Sequence, residues 1–110
     1  MAKGWHMSVD GARLTLARRT PVRWDVAVQT VLTGCADRNR AAIAHQVRQD
    51  IWRALARVRG FSPIVEVTRS GSDMQVRAGG RLDASAPDLT ARIAGVLNQP
   101  KARARWCARA

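Results

Sequence analysis

The alternation of apolar and polar residues at the start of the chain predicts a β-hairpin over residues 5–18. Residues 6–9 and 12–16 both alternate, and they flank the pair Asp10-Gly11. An Asp-Gly pair suits the positive-φ positions of the tight primed turns that join antiparallel strands. Residues 18–21 then interrupt the alternation, so we expect the hairpin to end there.

A longer alternating segment predicts a strand from Val22 to Leu32. One face of this strand is apolar and includes Trp24, which we therefore expect in the core. The other face carries the polar residues Arg23, Asp25 and Gln29.

Helical spacing of apolar residues predicts a long helix between Asp37 and Gly60. We expect Asp37 to cap its N-terminus, because the carboxylate can accept hydrogen bonds from the free N–H groups of the first turn. Gly60 would end the helix, with Arg57 and Arg59 in the final turn, where the carbonyl ends are partly negative. The apolar stripe consists of Ile43, Val47, Ile51, Ala54, Leu55 and Val58.

The second half of the chain predicts two strands, a helix and a last strand. Phe61–Arg69 and Met74–Leu82 are joined by a short polar segment, which favours antiparallel pairing. Gly79-Gly80 suggests a bulge or a bend in the second of them. Ser85–Asp88 resembles a capping box before a helix with a stripe of apolar residues. Lys101–Arg109 alternates as a half-exposed strand, with Trp106 on its core face.

The order of these elements predicts an α+β fold in one domain spanning residues 1–110. Residues 22–109 match the ferredoxin-like β-α-β-β-α-β pattern, a two-layer sandwich with an antiparallel sheet and two helices on one face. The hairpin of residues 5–18 precedes this core. In the ferredoxin-like order the last strand lies beside the first. The match is one of architecture only, and such an architecture hosts many unrelated functions.

The composition is that of an ordinary globular protein, with 46% hydrophobic and 25% charged residues. No apolar run approaches the roughly 18 to 20 residues that a membrane-spanning helix needs. The first residues lack the apolar stretch of a secretory signal. These features predict a cytoplasmic protein with no membrane partner.

The charge is far from balanced. Nineteen Lys and Arg residues oppose eight Asp and Glu residues, which gives a formal net charge of +11. This excess is larger than solubility requires, so it points to a polyanion or to an acidic protein as the partner.

The predicted topology places part of this charge on the open face of the sheet. Arg23, Arg77, Arg103 and Arg105 would lie there on neighbouring strands, and Arg48 and Arg59 on the long helix would extend the surface. One interpretation is an electropositive platform that binds the backbone of RNA or DNA with little sequence specificity. The other is a solvated polar face without a ligand. The open face offers no aromatic residue for base stacking in this topology.

The long helix carries a second feature of interest on the side opposite its apolar stripe. His45, Arg48, Trp52 and Arg59 fall there, and Arg48 and Trp52 are spaced for a cation–π contact. Trp52 either faces a partner or lies under the hairpin. The alternative function is therefore a protein-interaction module, either a homodimer or an adaptor to an acidic partner. Such a module would use Trp52, His45 or an exposed strand edge.

No residue pattern predicts catalysis or a cofactor. Glu66 is the one glutamate, and Cys35 and Cys107 have neither metal-ligand nor redox spacing. We expect the two cysteines to be separate reduced thiols, because the predicted strand order places them more than ~20 Å apart. The expectation is a binding protein that is not an enzyme and holds neither a metal nor a cofactor.

Overall fold

The structure, a computed structural model, describes residues 4–83 and 87–108 and is an α+β fold, as predicted. The elements are β1 (His6–Asp10), β2 (Arg13–Ala17), β3 (Val26–Leu32), α1 (Arg40–Leu55), β4 (Phe61–Ser70), β5 (Asp73–Leu82), α2 (Leu89–Leu97) and α3 (Pro100–Ala108). Within this part of the chain, one antiparallel sheet has the strand order β1-β2-β4-β5-β3. Helix α1 packs on β4 and β2, α2 packs on β3, and α3 contacts both of these helices.

The strand order differs from the ferredoxin-like one, because the segment predicted as the last strand forms helix α3. Its alternating residues are mostly alanine and arginine, which are strong helix formers, so the period of two was misleading. Pro100 stands at the start of the helix, where its missing N–H has no cost. Arg109 and Ser85, which belong to the predicted last strand and the predicted capping box, lie outside the described residues.

The hairpin forms as predicted and extends the sheet at the other edge, where β2 pairs with β4. Its turn lies one residue later than expected, because Asp10 pairs with Arg13 across Gly11-Ala12. Gly11 has a φ of 59° and Ala12 has a negative φ, as in a type II′ turn.

Helix α1 is shorter than the apolar spacing predicts. Asn39, not Asp37, caps the N-terminus, and its side chain accepts a hydrogen bond from the backbone N–H of Ala42 at 3.0 Å. The helix ends at Leu55, so Arg57 and Arg59 lie in the following turns rather than in the last turn of the helix.

The expected core position of Trp24 is wrong, because β3 begins only at Val26. The backbone N–H of Asp25 donates to Gly80, and its carboxylate accepts from the backbone N–H of Leu82 at 2.8 Å. These bonds fix the chain before the strand, and Trp24 is half-buried rather than part of the core. The ring of Trp24 instead lies against the guanidinium of Arg77, at 4.1 Å.

The two adjacent glycines of β5 do not form the expected bulge, since the pairing with both neighbouring strands runs through them without a break. They allow close packing of the backbone instead. A Cβ on Gly79 would lie 1.9 Å from the carbonyl oxygen of Val26, and one on Gly80 would lie 2.1 Å from that of Ser62.

The core lies between the sheet and the helices. Trp106 is fully buried, as predicted, although it comes from α3 and not from a strand. Its indole N–H donates to the carboxylate of Asp50 at 2.7 Å, and Arg105 forms an ion pair with the same carboxylate. The other large buried side chains include Leu16, Ile43, Val47, Ile51, Val65, Val67, Met74, Val76, Leu89, Ile93 and Leu97. None of the described helices has both the length and the apolar character that crossing a membrane requires.

A disulfide joins Cys35 to Cys107, so the expectation of two reduced thiols is wrong. The error follows from the misassigned last strand. As a helix, the C-terminal segment brings Cys107 back to the loop after β3, with the two Cα atoms 5.9 Å apart. The bond closes a loop of 72 residues and ties α3 to the loop between β3 and α1.

Reduction of this disulfide is expected to lower the free energy of unfolding by about 4 kcal/mol, because a closed loop of this length restricts the unfolded chain strongly. Urea unfolding with and without a reductant measures the difference. The Cys35→Ser/Cys107→Ser double variant is the control and should not respond to the reductant. An equal unfolding midpoint in both conditions would contradict the cross-link.

Candidate anion-binding site

The structure does not assemble the predicted platform of four arginines. Arg103 and Arg105 lie on α3 and are engaged within the fold. Arg103 donates to the hydroxyl of Thr30 at 2.6 Å and to the carbonyl oxygen of Val31 at 2.6 Å. Arg105 pairs with Asp50, so its charge is neutralised locally. Both residues therefore stabilise the position of α3.

Each of the other two arginines of the predicted platform lies next to an acidic residue. Arg23 pairs with Asp25 at 2.8 Å, and this hydrogen bond holds the pKa of Asp25 below its usual value. Arg77 does lie on the open face of the sheet, but its strand register places it directly opposite Glu66. It lines a shallow depression of about 180 Å³ there. The stacking of Trp24 on Arg77 also shows that the open face has an aromatic residue, contrary to expectation.

A different group of basic and aromatic residues lies where the open end of the hairpin meets α1 and along the adjoining side of that helix. We call it the basic–aromatic patch, and it consists of Trp5, Arg18, His45, Arg48 and Trp52. The guanidinium carbons of Arg48 and Arg18 lie 5.0 Å and 5.7 Å from the centre of the Trp5 ring. Both distances are within the range of a cation–π contact.

The hairpin and α1 position this patch together. Trp5 precedes β1 and Arg18 follows β2, so the pairing of His6 with Ala17 brings them to the same end of the hairpin. Helix α1 runs alongside. Its first residue, Arg40, donates to the carbonyl oxygen of Gly11 at the turn, and Arg48 reaches Trp5 at the open end.

The patch is positively charged without internal compensation. Among the described residues, no carboxylate forms an ion pair with Arg18 or Arg48. Burial and then the nearby charge of Arg18 lower the pKa of Arg48. Burial and then the charge of Arg48 lower the pKa of His45. A bound anion would relieve the repulsion between the positive charges, which is the smaller cause of these shifts.

The predicted contact between Arg48 and Trp52 is replaced by the contact between Arg48 and Trp5. Trp52 is 53% exposed, so the hairpin does not cover it and its ring is accessible to a ligand. His45, Arg48 and Trp52 share one side of α1 as the sequence indicates, but Arg59 lies beyond the helix.

Trp5 and Arg18 belong to the patch although they were not among the predicted site residues. The available signal was their position at the two ends of the predicted hairpin, which places them side by side. Comparison of the chain with models of known protein families, with curated proteins and with solved structures finds no match. The function therefore has to be inferred from the geometry and charge of the site.

The pKa of His45 is expected to lie below its ordinary value of 6.5, and the Arg48→Gln variant should raise it by removing a nearby positive charge. The unfolded chain then binds a proton more readily than the folded chain. The free energy of unfolding therefore falls as the pH is lowered through about 6.5.

A titration of the imidazole signals by NMR measures this pKa. Arg53→Gln is the matched control, because it removes the same charge from another side of α1 and should leave the pKa of His45 unchanged. A pKa of His45 that does not respond to Arg48→Gln would contradict the described contact.

Proposed function

We propose that this chain is a small basic module that docks on the backbone of a nucleic acid with little sequence specificity. The observation that carries the proposal is the convergence of Arg18 and Arg48 on Trp5 without a described carboxylate as partner. Two guanidinium groups held together in this way form a binding site for phosphate oxygens, since each can donate several hydrogen bonds in a fixed plane.

The exposed ring of Trp52 supports a single-stranded ligand. Trp52 lies one helical turn from Arg48, and 53% of its surface is accessible. Proteins that bind single strands without sequence preference combine a basic surface for the backbone with aromatic rings on which bases stack. The patch offers both chemistries on the same side of α1.

Further positive charge surrounds the C-terminal end of α1. Arg53, Arg57 and Arg59 follow Trp52 along the chain, and no described carboxylate pairs with them. Arg92 of α2 adds a guanidinium that donates to the carbonyl oxygen of Ala54 at 2.9 Å. These charges extend the positive electrostatic potential of the patch and would increase the rate at which it meets an anionic strand.

The Arg48→Gln variant is expected to weaken binding of a single-stranded oligonucleotide and to reduce its salt dependence. Loss of one phosphate contact lowers the slope of log affinity against log salt by about 0.7. Fluorescence anisotropy of a labelled oligonucleotide, measured over a series of salt concentrations, gives both quantities. Arg18→Gln should have the same effect.

Arg38→Gln is the matched control, because it removes the same charge from an exposed residue outside the patch. Equal losses in the Arg48→Gln and Arg38→Gln variants would show that the patch is not the site. The absence of any binding at ~50 mM salt, where surface charges are weakly screened, would exclude a polyanion ligand altogether.

The Trp52→Ala variant distinguishes a nucleic acid from an acidic protein as the partner. Loss of base stacking is expected to weaken oligonucleotide binding by about tenfold, whereas binding of polyglutamate should be unchanged. If Trp52→Ala weakened the binding of both ligands equally, and polyglutamate bound more tightly than the oligonucleotide, the partner would be an acidic protein and not a nucleic acid.

A further inference from the structure

The two edge strands of the sheet, β3 and β1, differ in how their backbone groups are protected. On the edge strand β3, Arg103 donates to the carbonyl oxygen of Val31 at 2.6 Å, which occupies that edge with a positive charge. All five residues of the edge strand β1 are exposed. No hydrogen bond from the described side chains or loops reaches the backbone of Met7 or Val9. Natural proteins usually protect their edge strands, so an open edge indicates a pairing surface.

The turn of the hairpin determines which backbone groups of β1 point outward. Asp10 and Arg13 flank a two-residue turn, and such residues exchange hydrogen bonds with each other. Bonded and non-bonded pairs alternate along an antiparallel ladder, so Met7 and Val9 direct their N–H and C=O groups away from β2.

We propose that β1 pairs with β1 of a second copy of this chain, antiparallel and about a two-fold axis at Ser8. This register places Met7 opposite Val9 of the second copy. The outward N–H and C=O groups of one residue can then hydrogen-bond those of the other, on both sides of the axis. It also uses all five residues of the strand. The two sheets then join into one of ten strands, and the interface is isologous.

The side chains of β1 are self-complementary in this register. Met7 and Val9 are 37% and 59% exposed on the helix-bearing face, and each would cover its counterpart in the second copy. On the other face, His6 lies opposite Asp10 of the second copy, whose carboxylate pairs with Arg13 of its own chain at 3.1 Å and could also accept a hydrogen bond from the imidazole. Apolar pairs and hydrogen-bonded polar pairs are favourable cross-strand combinations.

The pairing would also complete the basic–aromatic patch, an inference that rests on the proposed function. Helix α1 packs over β4 and β2, which leaves the helix-bearing face of β1 uncovered. At about 4.8 Å per strand, the two α1 axes would lie on the order of 20 Å apart. Subtracting a helix diameter of about 10 Å leaves a groove about 10 Å wide.

This groove would have Met7 and Val9 of both copies as its floor. Its two walls would carry His45, Arg48 and Trp52, one set from each copy. A single extended nucleic-acid strand fits a groove of this width, whereas a double helix is wider. The two-copy groove thus specifies the ligand as single-stranded.

Sedimentation velocity without nucleic acid tests the pairing. Because both copies carry a formal net charge of +11, self-association should strengthen as added salt screens their repulsion. Oligonucleotide binding should weaken over the same range. A monomer at every concentration and salt tested would overturn the pairing.

Two charge variants test the register. His6→Glu places two carboxylates opposite each other, and Asp10→Lys places a cation opposite His6. Each variant alone should raise the dimer dissociation constant by about tenfold, since the changed pair occurs twice in the dimer. An equal mixture of the two variants should recover wild-type association, which would also show that both fold. A dimer that neither variant weakens uses another surface and would overturn the proposal.

The stoichiometry of oligonucleotide binding tests the shared groove separately. One short strand per two copies supports it, and one strand per copy overturns it while leaving the pairing intact. A dimer that forms in sedimentation but binds no oligonucleotide would remove the proposed function and not the β1 pairing.

Discussion

The shortage of carboxylates is the constraint on which the electrostatics of this protein depend. Eight acidic residues face nineteen basic ones, and most of the described arginines have no ionic partner among the described residues. The fold places its acids where they fix structure. Asp25 bonds the backbone at the end of β5, and Asp50 holds both Trp106 and Arg105 of α3. No described acid pairs with the arginines beside Trp5, and this local absence, rather than the total charge, creates a site.

Local periodicity predicted the hairpin, the long helix and the two central strands, because burial of one face imposes that periodicity directly. It failed for α3, where alternating alanine and arginine satisfy a strand pattern and a helix equally, and tertiary packing of Trp106 decides between them. For the site, the rotation of about 100° per residue in a helix correctly predicted that His45, Arg48 and Trp52 share one side of α1. The predicted hairpin already places Trp5 beside Arg18, but the contact of Trp5 with Arg48 depends on how the hairpin packs beside α1, which no local pattern encodes.

The unequal edges of the sheet favour a closed assembly over an extended one. A sheet with two open edges can add copies at both, and the product is a filament. Here Arg103 binds the backbone at one edge and the other edge is free for a partner, so in the proposed pairing growth would stop when two copies have met. The same arginine that was expected to bind a ligand would therefore limit the size of the proposed assembly.

Protection of the β3 edge depends on the disulfide. Cys107 anchors α3 to the loop after β3. Helix α3 in turn carries Arg103, whose guanidinium donates to the carbonyl oxygen of Val31. If the bond is broken, the helix is held only by noncovalent packing, and whenever it detaches the second edge becomes available for pairing. The proposed dimer could then add further copies end to end, so the redox state of the surroundings would govern whether the assembly stays at two copies or polymerises.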